Sequence, residues 1–222
     1  IDPVRLAGTT VTNATLHNQD FITEKGICLG DKIIVRKAGE IIPEVVRSAS
    51  HLPDAVPYEM PEVCPVCGTK AVRDAEESAL RCPNPDCPAQ LLKRMIHFAS
   101  KDAMNIEGLG EAIVQQLLDN KFVSNVADLY ELDVQTVMQV TGGMKSAENL
   151  INSIENSKKA SLDRLVFALG IRGIGQRAAK LLCEKFGSME AIMEALPLEI
   201  CSIDGFGDIM ADSVYNAMQE PH

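Results

Sequence analysis

Tryptophan is absent from these 222 residues and aromatic side chains make up only 4%, so stacking of bases on aromatic platforms is not available as a dominant mode of recognition. No run approaches the ~18 consecutive apolar residues of a membrane-spanning helix. The opening Ile1-Asp2-Pro3 has neither the basic nor the apolar region of a secretion signal. Positive charge is also in short supply. Lys and Arg number 21 against 31 Asp and Glu, for a net charge of −10, divided as −2 over residues 1–60, 0 over 61–100 and −8 over 101–222. That balance argues against a polybasic nucleic-acid binder. It leaves open binding through backbone amides and helix N-termini, whose partial positive charge does not depend on side-chain composition. The hydrophobic content of 46%, with 23% charged residues, is that of a folded protein of one or two ordinary domains. The first residue is not Met, and the opening residues already read as strand, as expected of a piece of a longer protein.

What the chain does have is a repeated glycine signature in its second half. Four copies align as Gly108-Leu109-Gly110, a degenerate Thr141-Gly142-Gly143, Gly173-Ile174-Gly175 and Gly205-Phe206-Gly207, with starts 32 or 33 residues apart. An internal repeat of this period indicates a repeated supersecondary unit. Each triplet follows an apolar residue (Ile106, Val140, Ile171 and Ile203) and precedes an amphipathic run, the pattern of a helix, a tight hairpin and a second helix. Glycines allow the hairpin positive φ and close approach to a ligand, and the second helix opens with unpaired N–H groups. Such a turn can hold a phosphate. The alternative is helix capping alone in an α-helical bundle, and in the second copy Thr141 stands where the first glycine is expected.

Four of the seven cysteines fall in one window, as Cys64-Pro65-Val66-Cys67 and Cys82-Pro83-Asn84-Pro85-Asp86-Cys87. Two short pairs of this kind form knuckles that turn four thiolates onto one zinc ion, with Gly68 easing the first turn. Four thiolates leave no open position for water, so the expected role is structural. The alternative is two disulfides or free thiols. Cys28, Cys183 and Cys201 stand alone among apolar neighbours and read as buried thiols. His17, His51 and His97 show no ligand spacing and read as structural histidines.

Along the chain, β-branched runs at 4–11, 33–37 and 41–47 predict a small β unit, with Ala38-Gly39-Glu40 as a hairpin and Asn13 or Thr15 capping a helical stretch that runs to Lys25. Prolines 53, 57 and 61 lead into the cysteine window. From about Gln90 the periodicity is helical to the end. The predicted fold class is multi-domain: a partial β-barrel over 1–60, a small four-cysteine zinc module over 61–89 and an α-helical domain of four tandem helix-hairpin-helix repeats over 90–222.

The order of these parts resembles the C-terminal half of bacterial NAD-dependent DNA ligases, which carry an OB fold, a four-cysteine zinc module and four helix-hairpin-helix motifs. The strings Ala14-Thr15-Leu16-His17-Asn18, Arg36-Lys37-Ala38-Gly39-Glu40-Ile41-Ile42-Pro43 and Lys145-Ser146-Ala147-Glu148-Asn149-Leu150 look like that family's own, and the match covers essentially the whole chain. The resemblance implies a parent enzyme that seals 5′-phosphate/3′-hydroxyl nicks in duplex DNA during replication and repair, using NAD to adenylate a lysine, with magnesium. NAD and magnesium would be bound outside this chain. The family's lysine lies in a Lys-x-Asp-Gly motif of an N-terminal adenylation domain, and no such motif occurs here. The chain is therefore expected to be inactive alone, to lack the first part of its OB fold, and to stop short of the BRCT domain.

The resemblance further implies a DNA-binding set. Arg36, Lys37, Ile41 and Ile42 would lie on the OB strand pair that crosses the minor groove, where Arg and Lys suit phosphate and groove shape and apolar residues pack on sugars. Core packing is the alternative for the two isoleucines, and a solvated strand face for the two basic residues. The hairpin glycines Gly108, Gly110, Gly142, Gly143, Gly173, Gly175, Gly205 and Gly207 would place backbone N–H groups on phosphates, with Lys145, Arg172 and Arg177 beside them. No catalytic residue is expected in the chain, and Cys64, Cys67, Cys82 and Cys87 are the metal ligands. The expected partners are nicked duplex DNA and the adenylation domain of the same protein, with no membrane, in a monomer of the bacterial cytoplasm associated with the nucleoid. The rival reading is a non-catalytic DNA-binding recombination or repair module. A repair nuclease or glycosylase is the third, and four tandem hairpins fit it poorly.

Overall fold

Backbone order changes character along the chain, from short strands to helices, and the computed structural model describes residues 1–6, 8–38, 42–73 and 78–219. It divides into two compact units, Ile1–Asn84 and Pro85–His222.

In the first unit, the run expected as one strand is a hairpin of β1 (Val4–Leu6) and β2 (Thr9–Val11). Gly8, at φ +81, turns the chain between them. Helix α1 (Gln19–Glu24) begins later than expected, because Asn18 and not Asn13 or Thr15 is its cap. The Asn18 side chain accepts the Phe21 N–H at 2.9 Å, which satisfies a donor that the first turn leaves unpaired. Strands β3 (Lys32–Ala38) and β4 (Ile42–Ser50) pair antiparallel, from Lys32↔Ser50 to Ala38↔Ile42, and Thr15 bridges to Glu44. The tip of this hairpin, with Gly39, Glu40 and Ile41, lies outside the described residues. Ile22, Ile27 and Val45 form a small core. The short pair β5 (Val72–Arg73) and β6 (Leu80–Arg81) belongs to the cysteine window.

The second unit is helical: α2 (Pro88–Ala99), α3 (Glu111–Asp119), α4 (Val134–Thr141), α5 (Met144–Ser157), α6 (Leu162–Ala168), α7 (Gln176–Phe186), α8 (Met189–Glu194), α9 (Pro197–Cys201) and α10 (Asp208–Gln219). Two buried clusters hold it. One gathers Met95, Leu117, Leu129, Val137, Leu150 and Ile154. The other gathers Val166, Leu182, Ile192, Ile200 and Val214. Fully burying each such side chain contributes about 1.5–3 kcal/mol relative to exposure. Gly187, at φ +78, closes α7 as expected. Among the described residues no helix is long and apolar enough to cross a membrane.

Candidate metal centre and nucleic-acid interface

The first cysteine pair sits in a tight knuckle. Gly68, at φ +73, returns its N–H to the Cys64 carbonyl at 2.9 Å, and the Cys64 N–H reaches the Thr69 carbonyl at 2.8 Å. Cys82 follows β6, and the buried Cys87 is the residue on which α2 starts, with Pro88 in its first turn. A ligand atom from each of Cys64, Cys67, Cys82 and Cys87 lies within 4.8 Å of the others.

The sulfurs of Cys67 and Cys82 are 3.5 Å apart, well beyond the ~2.05 Å of a disulfide. Among the described residues no cysteine is disulfide-bonded, which removes the disulfide alternative. Hydrogen bonds from the Thr69 hydroxyl and backbone, aided by Cys82, hold the Cys67 thiol down to about 6. Backbone N–H groups of Cys67 and Val66 lower Cys64. The knuckle thus favours the thiolate form that a metal requires. Four converging sulfurs suit zinc and leave it no open position.

The isolated cysteines are otherwise placed. Burial pushes the Cys183 thiol up to about 11, and Cys201 lies 3.5 Å from Asp208. His97 contacts the Phe167 carbonyl at 2.8 Å, and His17 lies edge-on to Phe21 at 4.9 Å between ring centroids. His51 is partnered as well. Its Nδ1 is 2.9 Å from Asp31, and Cys28 lies beside the pair.

The glycine repeat resolves into two geometries. In the first, third and fourth copies the turn glycine is left-handed, at φ +87 for Gly108, +79 for Gly173 and +85 for Gly205. The following N–H of Leu109, Ile174 or Phe206 then returns to the carbonyl of Ile106, Ile171 or Ile203 at 3.0–3.3 Å. Those apolar residues are all buried, so the core holds each turn from both sides. The second copy is built differently. Gly142, not Thr141, takes the left-handed position, at φ +72, and it caps α4 directly. Gly143 follows at once with no buried residue between, which is why aligning the triplets places Thr141 at the wrong position.

The second glycines are equivalent in all four copies. Gly110, Gly143, Gly175 and Gly207 each accept an N–H from four residues on, at 2.9–3.0 Å, which places each where its helix begins. Gly110, Gly143 and Gly175 cap α3, α5 and α7 with no side-chain hydrogen bond. By contrast Asn18, Asp133 and Ser188 cap α1, α4 and α8 through their side chains. A Cβ at Gly175 or Gly207 would meet nothing within 4 Å. Local packing therefore does not demand glycine there, while the absent side chain leaves the first N–H groups uncovered.

Charge separates the copies. Acids flank the first and fourth, as Glu107 and Glu111, and Asp204 and Asp208. Arg172 and Arg177 flank the third and Lys145 follows the second, and neither α5 nor α7 has an acid in its first turn. Between the first hairpin and α5 lies a polar groove of about 1060 Å³, lined by Gly108, Ser146, Asn149, Ser153, Asn156 and Arg164 among others. Nothing in the periodicity signals this groove. It is visible only once Ser146, Asn149, Ser153 and Asn156 share a face of α5.

On β3 and β4, Arg36 and Lys37 already have partners in the chain. Arg36 Nε reaches its cross-strand neighbour Glu44 at 2.5 Å, and Lys37 Nζ donates to the Thr9 hydroxyl at 2.6 Å. The Arg36 side chain is 69% exposed, and exposed pairs of this kind contribute about 0–1 kcal/mol. An incoming phosphate can therefore compete for it. Ile42 is 56% exposed, so core packing does not account for it. Ile41 lies outside the described residues.

Four family models match consecutive stretches: the NAD-dependent DNA ligase OB-fold domain over residues 1–55, the NAD-dependent DNA ligase C4 zinc finger domain over 63–89, a SAM-like helix-hairpin-helix tandem over 100–156, and a helix-hairpin-helix motif over 164–222. Among curated relatives, a DNA ligase of Symbiobacterium thermophilum is 52% identical over 99% of this chain and 33% of its own length. One of Bacillus subtilis is 50% identical over 96% of this chain and 32% of its own. The chain thus spans about a third of the length of the relatives it matches. From the β-rich N-terminus to the last hairpin, the chain matches the OB-fold and C4 zinc-finger domains of NAD-dependent DNA ligases followed by helix-hairpin-helix motifs, and it is about half identical to curated DNA ligases over nearly all of its length.

Proposed function

We propose that this chain is the duplex-gripping portion of an NAD-dependent DNA ligase, holding nicked DNA while a separate adenylation domain performs the nucleotidyl transfer. The observation that carries the reading is the set of glycine N-caps, which leave the N-termini of α3, α5 and α7 open to a phosphate where those of α1, α4 and α8 are closed by side chains. Backbone amides of this kind favour phosphates on either strand without reading base identity. The third hairpin, flanked by Arg172 and Arg177, and the second, followed by Lys145, are the better phosphate sites. Arg36, Lys37, Ile41 and Ile42 would meet the minor groove from the β-rich unit.

In this reading the chain comprises an OB fold over 1–60, a zinc module over 61–89 and a hairpin domain over 90–222. NAD supplies the adenylyl group, and magnesium its charge neutralisation, in the adenylation domain, where the Lys-x-Asp-Gly motif absent from this chain would reside. The whole protein acts as a monomer in the bacterial cytoplasm, at the nucleoid, in replication and repair. Zinc fastens the knuckles and takes no part in the chemistry.

The test mixes this chain with a separately made adenylation domain and measures NAD-dependent nick sealing against either part alone. Sealing restored by the mixture supports the assignment. Tight binding to nicked duplex with no gain in sealing favours a non-catalytic DNA-binding module. No binding to nicked duplex overturns both.

A further inference from the structure

The trio of Cys28, Asp31 and His51 belongs neither to the zinc finger nor to the candidate DNA surface. Two independent features of the first unit bring it together. Lys32 pairs with Ser50 at the open end of the β3–β4 hairpin, so the residues just outside that pair, Asp31 and His51, become neighbours. Cys28 is fixed next to them by its bridge to Pro57 and by its N–H, which donates to Asp31 Oδ2 at 2.8 Å. Gly30, at φ +81, makes the turn that lets Cys28 and Asp31 face one another.

One ligand atom from each of the three lies within 4.8 Å of the others. The Asp31 side chain is 1% exposed, while that of His51 is 52% exposed, so the cluster has a closed side and an open side. We propose that Cys28, Asp31 and His51 form a second metal site, which takes one borderline-soft divalent cation such as zinc and keeps a fourth position for water.

The donor set supports that choice. One thiolate, one imidazole and one carboxylate match zinc and cobalt, and not calcium or magnesium, which demand oxygen ligands. Two anionic ligands neutralise a divalent ion. On a tetrahedral zinc these donor atoms would stand about 3.5 Å apart, so no separation need close by much more than about 1 Å from the 4.8 Å limit, while His51 and Asp31, now 2.9 Å apart, part by about half an ångström. Side-chain rotation of Cys28 and His51 provides that. Burial opposes ionisation of Asp31, but the Cys28 N–H, His51 and Ser48 outweigh it and hold its carboxyl below the usual range, so this ligand is already charged. Burial and the neighbouring Asp31 raise the Cys28 thiol, so binding releases its proton. The site would clip the entry of β3 to the exit of β4, independently of the four-cysteine centre.

The experiment uses the full chain with its zinc finger loaded and titrates cobalt(II), following zinc content and the sulfur-to-cobalt absorption band. Wild type should take up one further equivalent of metal with no release of zinc. Cys28→Ser and His51→Gln should each return the total from two equivalents to one and lose the band, with the zinc finger still full. His51→Gln keeps a polar partner for Asp31 and guards against misfolding, with far-ultraviolet circular dichroism as the control. A wild type that stays at one equivalent in excess cobalt overturns the site. So does a second equivalent that survives in both variants.

Discussion

Replacing Gly175 with Asp should move stability and DNA affinity in opposite directions. Gly175 sits at φ −83 and ψ 179, extended backbone that any residue adopts, and a new Cβ would touch nothing within 4 Å. Asp at this position caps the open N–H groups of α7, a gain of a few tenths of a kcal/mol over glycine. Its charge at the helix N-terminus adds about 0.3–1 kcal/mol. The helical unit should therefore melt about 1–4 °C higher. The same carboxylate occupies the N–H groups that a phosphate would use. Losing one hydrogen bond to a charged group costs about 1.5–3 kcal/mol, so the Kd for nicked duplex should rise at least about tenfold. Thermal denaturation and fluorescence anisotropy on one protein sample read both quantities. Gly207→Asp is the internal comparison, and it should cost less affinity because Asp208 already opens that helix. A more stable Gly175→Asp protein that binds nicked duplex as well as wild type would refute the phosphate role of the third hairpin.

Three further outcomes are expected. Cys82→Ser should release zinc on metal analysis and expose the knuckle to proteolysis, while the helical unit, whose two clusters lie elsewhere, keeps its circular dichroism. Acid should weaken the helical unit in part through Asp128, whose carboxyl is held below its usual range by the Ser124 hydroxyl and N–H and by Asn125. Because that folded-state value is depressed, the stabilisation is present above the unfolded pKa of ~3.9 and disappears as pH falls through the folded value. Asp128→Asn should therefore flatten the pH dependence of the melting temperature below about pH 4. Leu182→Ala, at a fully buried position of the second cluster, should destabilise by about 2–5 kcal/mol. Urea unfolding of this variant should show the loss without a change in zinc content.

Much of the plan was legible because its signals are local. A glycine triplet behind an isoleucine encodes its own turn, and Cys64 and Cys67 encode their own knuckle through Gly68. The reading failed where the deciding interaction was a single backbone detail or a long-range pairing. Residues 4–11 look like one strand until Gly8 takes a left-handed conformation. Asn13, Thr15 and Asn18 are all competent caps, and only the position at which the Phe21 N–H becomes available selects Asn18. In the second hairpin the left-handed glycine falls one position later than the triplets predict, because composition does not distinguish a glycine that ends α4 from one that opens a turn. Cys28, Asp31 and His51 span 24 positions of sequence, and only the β3–β4 register makes neighbours of the last two.

The acidity of the helical half is reconciled with the proposed DNA-binding role by where the charges stand. Unit charges at ~6 Å in water interact by about 0.7 kcal/mol. If the two acids flanking the fourth hairpin and the two arginines flanking the third stand at about that distance from a bound phosphate, the two sites differ by about 3 kcal/mol before screening. Salt lessens this, but over contact distances shorter than the ~8 Å Debye length at physiological ionic strength it does not erase it. The remaining negative charge of the helical half would oppose indiscriminate adhesion to the duplex. An acidic scaffold with two basic hairpins therefore favours DNA held at defined points over DNA merely attracted. The proposed clamp, which would have to register on one nick, needs that property, and a polybasic surface would not supply it.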